Sequence, residues 1–383
     1  MKKILIFSTA YVPFIGGAEV AVREITQRIP DMTFDLITAR MKRNLPREEP
    51  IGTIQVYRVG FGIAQLDKLL LPFWGSIVAL RLIKKNRYNV FWAVMVSFAS
   101  GAAYIANNLF LKKKIPIVLT LQEGDSEKYF RKKWFGIINI AWRRALAKTS
   151  SVTAISTYLG NRARMFGYTG PVTIIPNGVD VELFSRGISL EERKNIREAL
   201  GIKESEIALI TASRLVVKNG LGDVIKALSF LPPHIKFIIC GTGELEGALR
   251  RSAKNLGVED RVIFKGFVKY TDLPSYLHAS DVFIRPSLSE GMGNSFVEAM
   301  AVGVPIIGTM VGGITDFLKD KETGFVCGVR DPKSIAEQVM FITQPENADV
   351  IARVVKNAHA LVKENYDWNK ISRDMKSIFD RLP

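Results

Sequence analysis

Short apolar runs alternate with helical stretches along almost the whole chain, and this alternation is typical of parallel α/β sheets. In the first half, the predicted strands lie at 4–8, 34–38, 54–59, 90–96, 117–121, 152–155 and 172–175. The pattern restarts in the second half, at 207–212, 237–240, 262–264, 282–285, 305–308 and 324–327. The sequence therefore predicts two Rossmann-like units.

The break between the two units is predicted within residues 176–206. A Pro176-Asn177-Gly178 turn opens this region, and the charged stretch 191–206 has little core pattern. A length of 383 residues also suits two domains. We expect an N-terminal domain over 1–176, completed by a C-terminal helix at about 365–383, and a C-terminal domain over 177–364, with a cleft between their facing sheets.

The composition excludes a mainly disordered chain, a fibrous protein and a disulfide-rich protein. With 48% hydrophobic and 23% charged residues, the chain has the composition of a folded globular protein. Its two cysteines, Cys240 and Cys327, cannot form a disulfide framework or a cysteine-rich zinc site, so we expect buried thiols in a reducing compartment.

The positive charge is confined to the first half of the chain. Residues 1–176 hold 26 Lys and Arg against 10 Asp and Glu, whereas the remaining residues hold 27 of each. A uniformly basic nucleic-acid binder would not require this asymmetry. We expect the first half to meet an anionic partner.

Two segments resemble membrane or export signals. Lys2-Lys3 and the apolar residues 4–7 imitate a signal peptide, but Pro13 and Gly16-Gly17 follow too soon, and a buried strand is the preferred interpretation. Residues 88–111 carry no charge over a length that could span a bilayer. Polar residues interrupt this run, so we expect a strand at 90–96 and a helix at 98–110 instead.

The most informative motif is a strand, a Gly-rich loop and the start of a helix at 282–300. Such a loop presents backbone N–H groups at the positive end of a helix, where a phosphate can bind. Glu290 and Glu298 would repel a phosphate, so sugar or ribose hydroxyls are their natural partners. The spacing alone would equally fit a solvated carboxylate pair.

Two further stretches suit a phosphate ligand. Arg214 offers a bidentate fork and Lys218 a point charge between a strand and a helix, although surface charges are an alternative interpretation. Gly16-Gly17-Ala18-Glu19 opens a helix after the first strand, but it lacks the full dinucleotide fingerprint.

Together these stretches resemble the retaining GT-B glycosyltransferases of glycosyltransferase family 4 (glycosyl transferases group 1). The resemblance rests on the order and spacing of seven stretches, which are Gly16-Gly17-Ala18-Glu19, 175–180, Ser213-Arg214-Leu215, Gly241-Thr242-Gly243, Gly266-Phe267-Val268, 290–298 and 311–314. It implies a hexosyltransferase that uses a nucleotide-diphosphate sugar, with a UDP or GDP sugar expected and no separate cofactor. The acceptor would be lipid-linked or a glycan, and no nucleic acid is expected.

The resemblance also implies site roles. Arg214 and Lys218 would neutralise the donor diphosphate, with Gly16 and Gly17 contributing from the first domain. Glu298 would hold the ribose, and backbone near Val268 would face the base. Glu290 would hold the transferred sugar together with the loop Gly291, Met292, Gly293, Asn294 and Ser295.

The chain departs from the family pattern after the strand at 117–121. Relatives often place a His there, whereas this chain has Gln122-Glu123-Gly124-Asp125 and all its histidines lie in the second half. Gln122, Glu123 and Asp125 are therefore candidate catalytic residues beside Glu290, with Glu123 or Asp125 orienting the acceptor. Glu123 and Asp125 also resemble the acidic pair of metal-dependent GT-A enzymes, and a capped loop is a further alternative, but we expect no metal.

A basic and aromatic stretch at 128–135 could meet a membrane. Its cations and rings suit an anionic lipid interface, although a core helix with a basic face is an equal alternative. The candidate contacts are Lys128, Arg131, Lys132, Lys133 and Trp134. We expect a cytoplasmic enzyme at the inner face of the membrane. The rival functions are a nucleotide-sugar epimerase of the same fold and a noncatalytic basic scaffold for membrane or nucleic acid.

Overall fold

The computed structural model describes residues 1–14, 16–124 and 137–383, and the side chains of 137–141 are not part of this description. The chain forms two compact units. Unit 1 comprises Met1–Asn177 and Trp368–Pro383, and unit 2 comprises Gly178–Asp367. The acceptor and donor roles of the two domains stay predictions.

Unit 1 is built around an eight-stranded sheet in the order β3-β4-β2-β1-β5-β6-β7-β8. Among the described strands of this sheet, only β3 and β4 pair in antiparallel fashion. The strands are β1 (Lys2–Phe7), β2 (Met32–Ala39), β3 (Glu48–Ile51), β4 (Ile54–Val59), β5 (Val90–Val94), β6 (Ile117–Leu121), β7 (Ser151–Ala154) and β8 (Val172–Ile174). The described helices are α1 (Gly17–Gln27), α2 (Ala64–Lys85), α3 (Phe98–Ile105), a π-helical turn (Ala106–Phe110), α4 (Ile137–Ala147) and α5 (Thr157–Met165).

Unit 2 contains a six-stranded parallel sheet in the order β11-β10-β9-β12-β13-β14. Its strands are β9 (Ile207–Ala212), β10 (Ile235–Cys240), β11 (Val262–Gly266), β12 (Val282–Arg285), β13 (Ile306–Gly308) and β14 (Phe325–Val326). Its helices are α6 (Val181–Ser185), α7 (Leu190–Ala199), α8 (Leu221–Ala227), α9 (Glu246–Asn255), α10 (Leu273–His278), α11 (Asn294–Val302), α12 (Pro332–Thr343) and α13 (Ala348–Asn365). The α/β class and the two Rossmann-like parallel sheets are thus confirmed.

The central strands are continuous apolar runs because helices cover both faces of each sheet. In β5, every residue from Val90 to Val94 is buried. Strand β3 differs, since its residues are exposed or half-buried and include Pro50, and such a strand is tolerated only at a sheet edge.

The uncharged segment 88–111 contains several short elements instead of one long helix. It folds as β5, α3 and the π-helical turn, which confirms the expected strand and helix. Within the described ranges, no helix combines the length and the apolarity that crossing a bilayer requires.

The last helix, α14 (Trp368–Arg381), packs into unit 1. Trp368, Met375 and Phe379 are almost fully buried in the same apolar cluster as Trp92 of β5. The rings of Phe379 and Trp92 are 5.4 Å apart in an edge-to-face arrangement. The core of unit 1 therefore draws on both ends of the described chain.

The two cysteines are free and buried, as the sequence predicts. Both thiols lie in apolar surroundings, and burial raises the pKa of each to about 12. They are structural side chains of unit 2, not reactive thiols.

Candidate functional site

The candidate donor site lies where the strand order of unit 2 reverses. Strand β9 is first in the chain within this sheet and pairs with β10 on one side and β12 on the other. In open α/β sheets, ligands bind outside the carboxyl ends of the strands at such a switch point. The loops that follow β9 and β12 therefore define the site.

The loop after β9 carries Arg214 and Lys218. The buried Asn219 amide donates to the Arg214 carbonyl oxygen at 2.6 Å, which fixes the loop. The Asn219 side chain therefore has an internal, structural role in this loop. The Arg214 side chain is exposed. This geometry presents a guanidinium to solvent on a rigid backbone.

The loops after β9 and β12 are joined directly. The Leu288 N–H donates to the Lys218 carbonyl oxygen at 2.7 Å. Gly220 has φ +70°, and a Cβ built on it would lie 2.0 Å from the Pro286 carbonyl oxygen. Only glycine permits this approach. The two loops consequently act as one backbone surface at the switch point.

Arg285, at the end of β12, holds the loop after β12 through contacts of its side chain. Its side chain is buried, and it donates to Ser295 Oγ at 2.8 Å and to Glu290 Oε2 at 3.0 Å. The guanidinium also stacks over the Phe296 ring, 4.7 Å from its centroid. Arg285 therefore links the strand end, the loop and the first turn of α11.

Glu290 is oriented by two donors. Its Oε2 accepts from Arg285, and its Oε1 accepts from the Gly291 N–H at 3.1 Å. A carboxylate offers about four acceptor positions, so two remain for hydroxyl groups of a ligand. The spacing of Glu290 and Glu298 alone would also fit a solvated carboxylate pair. The contacts of Glu290 show instead that its carboxylate is held in a defined position.

The loop Gly291 to Ser295 leads into the N-terminus of α11. Gly293 has φ +98°, and a Cβ there would lie 2.8 Å from the Arg285 guanidinium. Met292 and Ser295 point into the protein, whereas Asn294 is partly exposed. A helix N-terminus of this kind attracts anions through its first N–H groups and its dipole.

Glu298 lies one turn into α11, on the same helix face as Asn294. Burial raises the pKa of Glu298 to about 7, and the positive charge of Arg285 offsets part of this effect. Near neutral pH the carboxyl is therefore partly protonated and can both accept and donate hydrogen bonds. Val268 follows β11, further along the same sheet edge.

The remaining candidates belong to unit 1. Gly16 is the N-cap of α1 and Gly17 its first residue, after the end of β1. Gln122 and Glu123 follow β6. Glu123 is buried, and its carboxylate accepts from the backbone N–H groups of Val96 and Gln122.

The environment of Glu123 supports the capped-loop interpretation of this carboxylate. Burial raises its pKa, while the backbone donors and Arg162 act in the opposite direction. Asp125 and the basic stretch with Lys128, Arg131, Lys132, Lys133 and Trp134 lie outside the described residues. The roles assigned to all these positions stay predictions.

Sequence reasoning missed Arg285 as a site residue. A signal was available, because an arginine at the end of an apolar buried strand needs partners nearby. It also missed the contact between Gly312 and the loop. There a Cβ on Gly312 would lie 1.8 Å from the Glu290 carbonyl oxygen, and the Gly313 N–H donates to that oxygen at 3.2 Å.

A parallel sheet with an anion-binding helix N-terminus and positioned carboxylates at its switch point is typical of enzymes that handle nucleotides. The Glycosyltransferase Family 4 model matches residues 15–183, and the Glycosyl transferases group 1 model matches residues 192–361. The chain is therefore a glycosyltransferase of the family 4 type with a GT-B fold.

Two curated relatives span nearly the whole chain. It is 25% identical to the N-acetyl-alpha-D-glucosaminyl L-malate synthase of Bacillus anthracis, over 98% of this chain and 97% of that protein. It is 24% identical to the alpha-monoglucosyldiacylglycerol synthase of Acholeplasma laidlawii, over 94% and 92%. Among solved structures, Anabaena HepE in complex with UDP-glucose matches over 100% of both chains, with a TM-score of 0.79 and 22% identity.

Proposed function

We propose that this glycosyltransferase moves a hexose-type sugar from a nucleotide-diphosphate sugar to a lipid-linked or glycan acceptor, with retention and without a metal ion. One observation carries the proposal. The loop with Arg214 and Lys218 and the loop with Glu290 form a single backbone surface at the switch point of unit 2, held by the Leu288–Lys218 hydrogen bond. That surface ends at the N-terminus of α11.

The donor diphosphate would bind to this surface. Arg214 can meet two phosphate oxygens with its planar fork, and Lys218 adds a second positive charge. The N-terminus of α11 supplies N–H donors for the same group. These charges would stabilise the leaving diphosphate as its bond to the sugar breaks. A metal ion has this role in other transferases.

The two carboxyl groups would hold the hydroxyl groups of the donor. Glu290 has two acceptor positions left for the sugar after Arg285 and Gly291 have taken the others. Glu298, with its pKa near 7, would bind the ribose, and backbone around Val268 would face the base. UDP or GDP is the expected nucleotide. The UDP-glucose complex of the similar HepE structure supports UDP.

Retention follows if the acceptor attacks on the same face as the departing diphosphate. The acceptor oxygen forms a bond to the anomeric carbon, the bond to the diphosphate oxygen breaks, and the acceptor proton passes to that oxygen. No histidine is present in residues 1–176 to act as the base. The proposal therefore assigns the proton to the donor phosphate, while Gln122, Glu123 and Asp125 remain candidates for orienting the acceptor.

The basic first half of the chain and one of the two relatives support a lipid-linked acceptor. One relative is named for malate and another for a glucosylated diacylglycerol. The net positive charge of residues 1–176 favours the lipid alternative, in which the enzyme works at the inner, cytoplasmic face of a membrane.

Titration calorimetry with a panel of UDP, GDP and ADP sugars, followed by product analysis with and without acceptor, tests the proposal. We expect one nucleotide to bind and product to form only with acceptor. Turnover of the donor sugar in the absence of any acceptor would instead identify a nucleotide-sugar epimerase. Absence of binding across the panel would contradict the donor assignment.

A further inference from the structure

A basic cavity of about 590 Å³ lies in unit 1, where β5 and β6 begin. The candidate transfer residues of unit 1 follow the carboxyl ends of the strands, so the cavity lies at the opposite edge of the parallel sheet. Its lining contains no Asp or Glu side chain, and Pro383, the last residue of the given sequence, also lines it. The cations that line it are Lys84, Lys85, Arg87, Lys113 and Lys114.

Most of these cations lack an internal counter-charge. Lys114 is used within the fold, because its ammonium group donates to carbonyl oxygens of Asn107 and Leu111 at 2.8 and 2.7 Å. The other four are exposed, and within the described part of the chain none forms an ion pair. The neighbouring acid Asp35 is already paired with Lys3 at 3.0 Å. A ligand anion would relieve the repulsion within this cluster.

The helix that brings Lys84 and Lys85 to the cavity has a second unusual feature. Helix α2 buries one face, which includes Leu71 and Ala79, and Gly75 on that face approaches Ala102 of α3. Its outward face is also apolar. Leu66, Leu69, Phe73, Trp74 and Ile77 are each between 39% and 62% exposed. We call these five residues the α2 stripe.

The spacing of the α2 stripe places its members on one side of the helix. An outward helix face is normally polar, and a contiguous apolar patch on a surface marks an interaction site. The Trp74 ring is fixed by an edge-to-face contact with Phe61, with the ring centroids 5.6 Å apart. The stripe is therefore an ordered surface.

A second segment repeats the same order of apolar and basic residues. The π-helical turn packs against α2 and ends with Leu109 and Phe110, which are 73% and 59% exposed. Lys112, Lys113 and Lys114 follow after Leu111. Two adjacent segments thus each present large apolar side chains and then cations that reach the same cavity.

We propose that the cavity binds the phosphate-bearing headgroup of an anionic phospholipid while the α2 stripe enters the interfacial layer of the same bilayer. Lipid is the source of the phosphate that fits, because a bilayer places an acyl layer directly beside a phosphate layer. The proposal rests on the proposed function, for which it supplies the membrane partner. It adds a membrane surface on α2 to the contacts that the sequence predicts at residues 128–134.

Co-sedimentation of the full chain with vesicles tests the proposal. The vesicles are phosphatidylcholine alone or an equal mixture of phosphatidylcholine and phosphatidylglycerol. We expect binding to the mixture, at least about 10-fold weaker binding to phosphatidylcholine, and weakening as the Debye length falls from about 10 Å at 0.1 M salt to about 3 Å at 1 M. Equal binding to both vesicles would overturn the headgroup assignment.

Two variants address the two parts of the surface. Lys84→Glu with Lys85→Glu changes the cavity, and Phe73→Ser with Trp74→Ser changes the stripe. Each should reduce vesicle binding by about 10-fold or more, since each removes one of the two contributions. Matched controls on exposed positions of unit 2 are Lys254→Glu with Lys363→Glu, and Phe230→Ser with Leu256→Ser. These should bind vesicles as the wild type does.

Further measurements distinguish the proposal from a different membrane surface and from a site for a free anion. If changing Lys128, Arg131, Lys132 and Lys133 to Glu removed vesicle binding while both α2 variants retained it, the surface would lie elsewhere. If inorganic phosphate bound the wild type but not the cavity variant, and no vesicles bound, the cavity would be a site for a free anion. Nucleotide binding, measured by calorimetry on every variant, reports on the proposed function independently. Absence of nucleotide binding by the wild type would contradict the proposed function but would leave the proposed membrane surface untouched.

Discussion

The guanidinium of Arg285 and the carboxylate of Glu290 meet at 3.0 Å across the loop that separates β12 from α11. Both side chains are largely buried, and Arg285 also holds Ser295 in the first turn of the helix. One cation thereby fixes the carboxylate and the helix N-terminus relative to each other. The candidate site is therefore held in place by contacts within the protein itself.

Replacing Arg285 with Met should destabilise unit 2 strongly. The variant leaves the Glu290 carboxylate without its main partner in a low-dielectric position, and breaking a buried ion pair costs about 3 to 5 kcal/mol. Urea denaturation measures the change in the free energy of unfolding. Lys319→Met is the matched control. Its pair with Glu322 is exposed, so a loss below about 1 kcal/mol is expected. Equal effects of the two substitutions would contradict the structural role of Arg285.

The Glu290→Gln variant should lose transfer activity while it still binds the free nucleotide. The amide keeps the size of the side chain but removes one of the acceptor groups assigned to the sugar. Calorimetry with the nucleoside diphosphate and a turnover assay with the nucleotide sugar separate the two effects. Turnover at the wild-type rate would remove Glu290 from the site.

Replacing Arg214 with Ala should weaken binding of the nucleoside diphosphate by about 1.5 to 3 kcal/mol, the range for a charge-assisted hydrogen bond. Calorimetric titration measures this directly. Arg250→Ala is a charge-matched control in the same unit, because the Arg250 side chain is exposed and pairs with Glu246 on α9. An unchanged affinity in Arg214→Ala would refute the diphosphate assignment.

Turnover should persist in excess EDTA. Under the proposed function, Arg214, Lys218 and the N-terminus of α11 would supply the positive potential that a divalent ion would otherwise provide to the leaving group. The assay compares initial rates with EDTA, with EDTA followed by Mg²⁺, and without additions. Complete loss of turnover with EDTA and its recovery with Mg²⁺ would contradict metal independence. Glu123 and Asp125 would then be the candidate metal ligands.

Glu298 should make the folded protein less stable as pH rises from about 5 to about 8. Its pKa is raised from 4.5 to about 7, so the native state binds more protons than the unfolded state in this window, and unfolding becomes easier with rising pH. The contribution is on the order of 2 kcal/mol. Urea denaturation at both pH values should show a smaller pH dependence in Glu298→Gln. Equal slopes would mean that the folded environment does not raise this pKa.

The alternation of apolar runs predicted the fold because buried parallel strands leave few polar residues to hide the pattern. Every strand that the sequence predicted is present, with ends shifted by no more than two residues. The structure also contains strand β3, which the sequence did not predict. Its Glu48-Glu49-Pro50 start carries no apolar run, and only pairing with β4 makes it a strand.

The candidate site was less accessible to sequence reasoning. Order and spacing placed Arg214, Lys218, Glu290 and Glu298 at one sheet edge, because carboxyl ends of neighbouring parallel strands meet there. They could not reveal Arg285, whose importance depends on burial and on the orientation of Glu290. The same holds for Glu123, whose backbone partners include Val96, a residue distant in sequence. Tertiary hydrogen bonds of this kind leave no local pattern.

The return of α14 to unit 1 has a consequence for the order in which the protein is made. Ribosomal synthesis delivers residues from the N-terminus, and domains fold as units once their residues are available. The core of unit 1 needs Trp368, Met375 and Phe379, which emerge only after all of unit 2. Unit 2 can complete its core first, while the nascent unit 1 keeps the apolar surface around Trp92 uncovered.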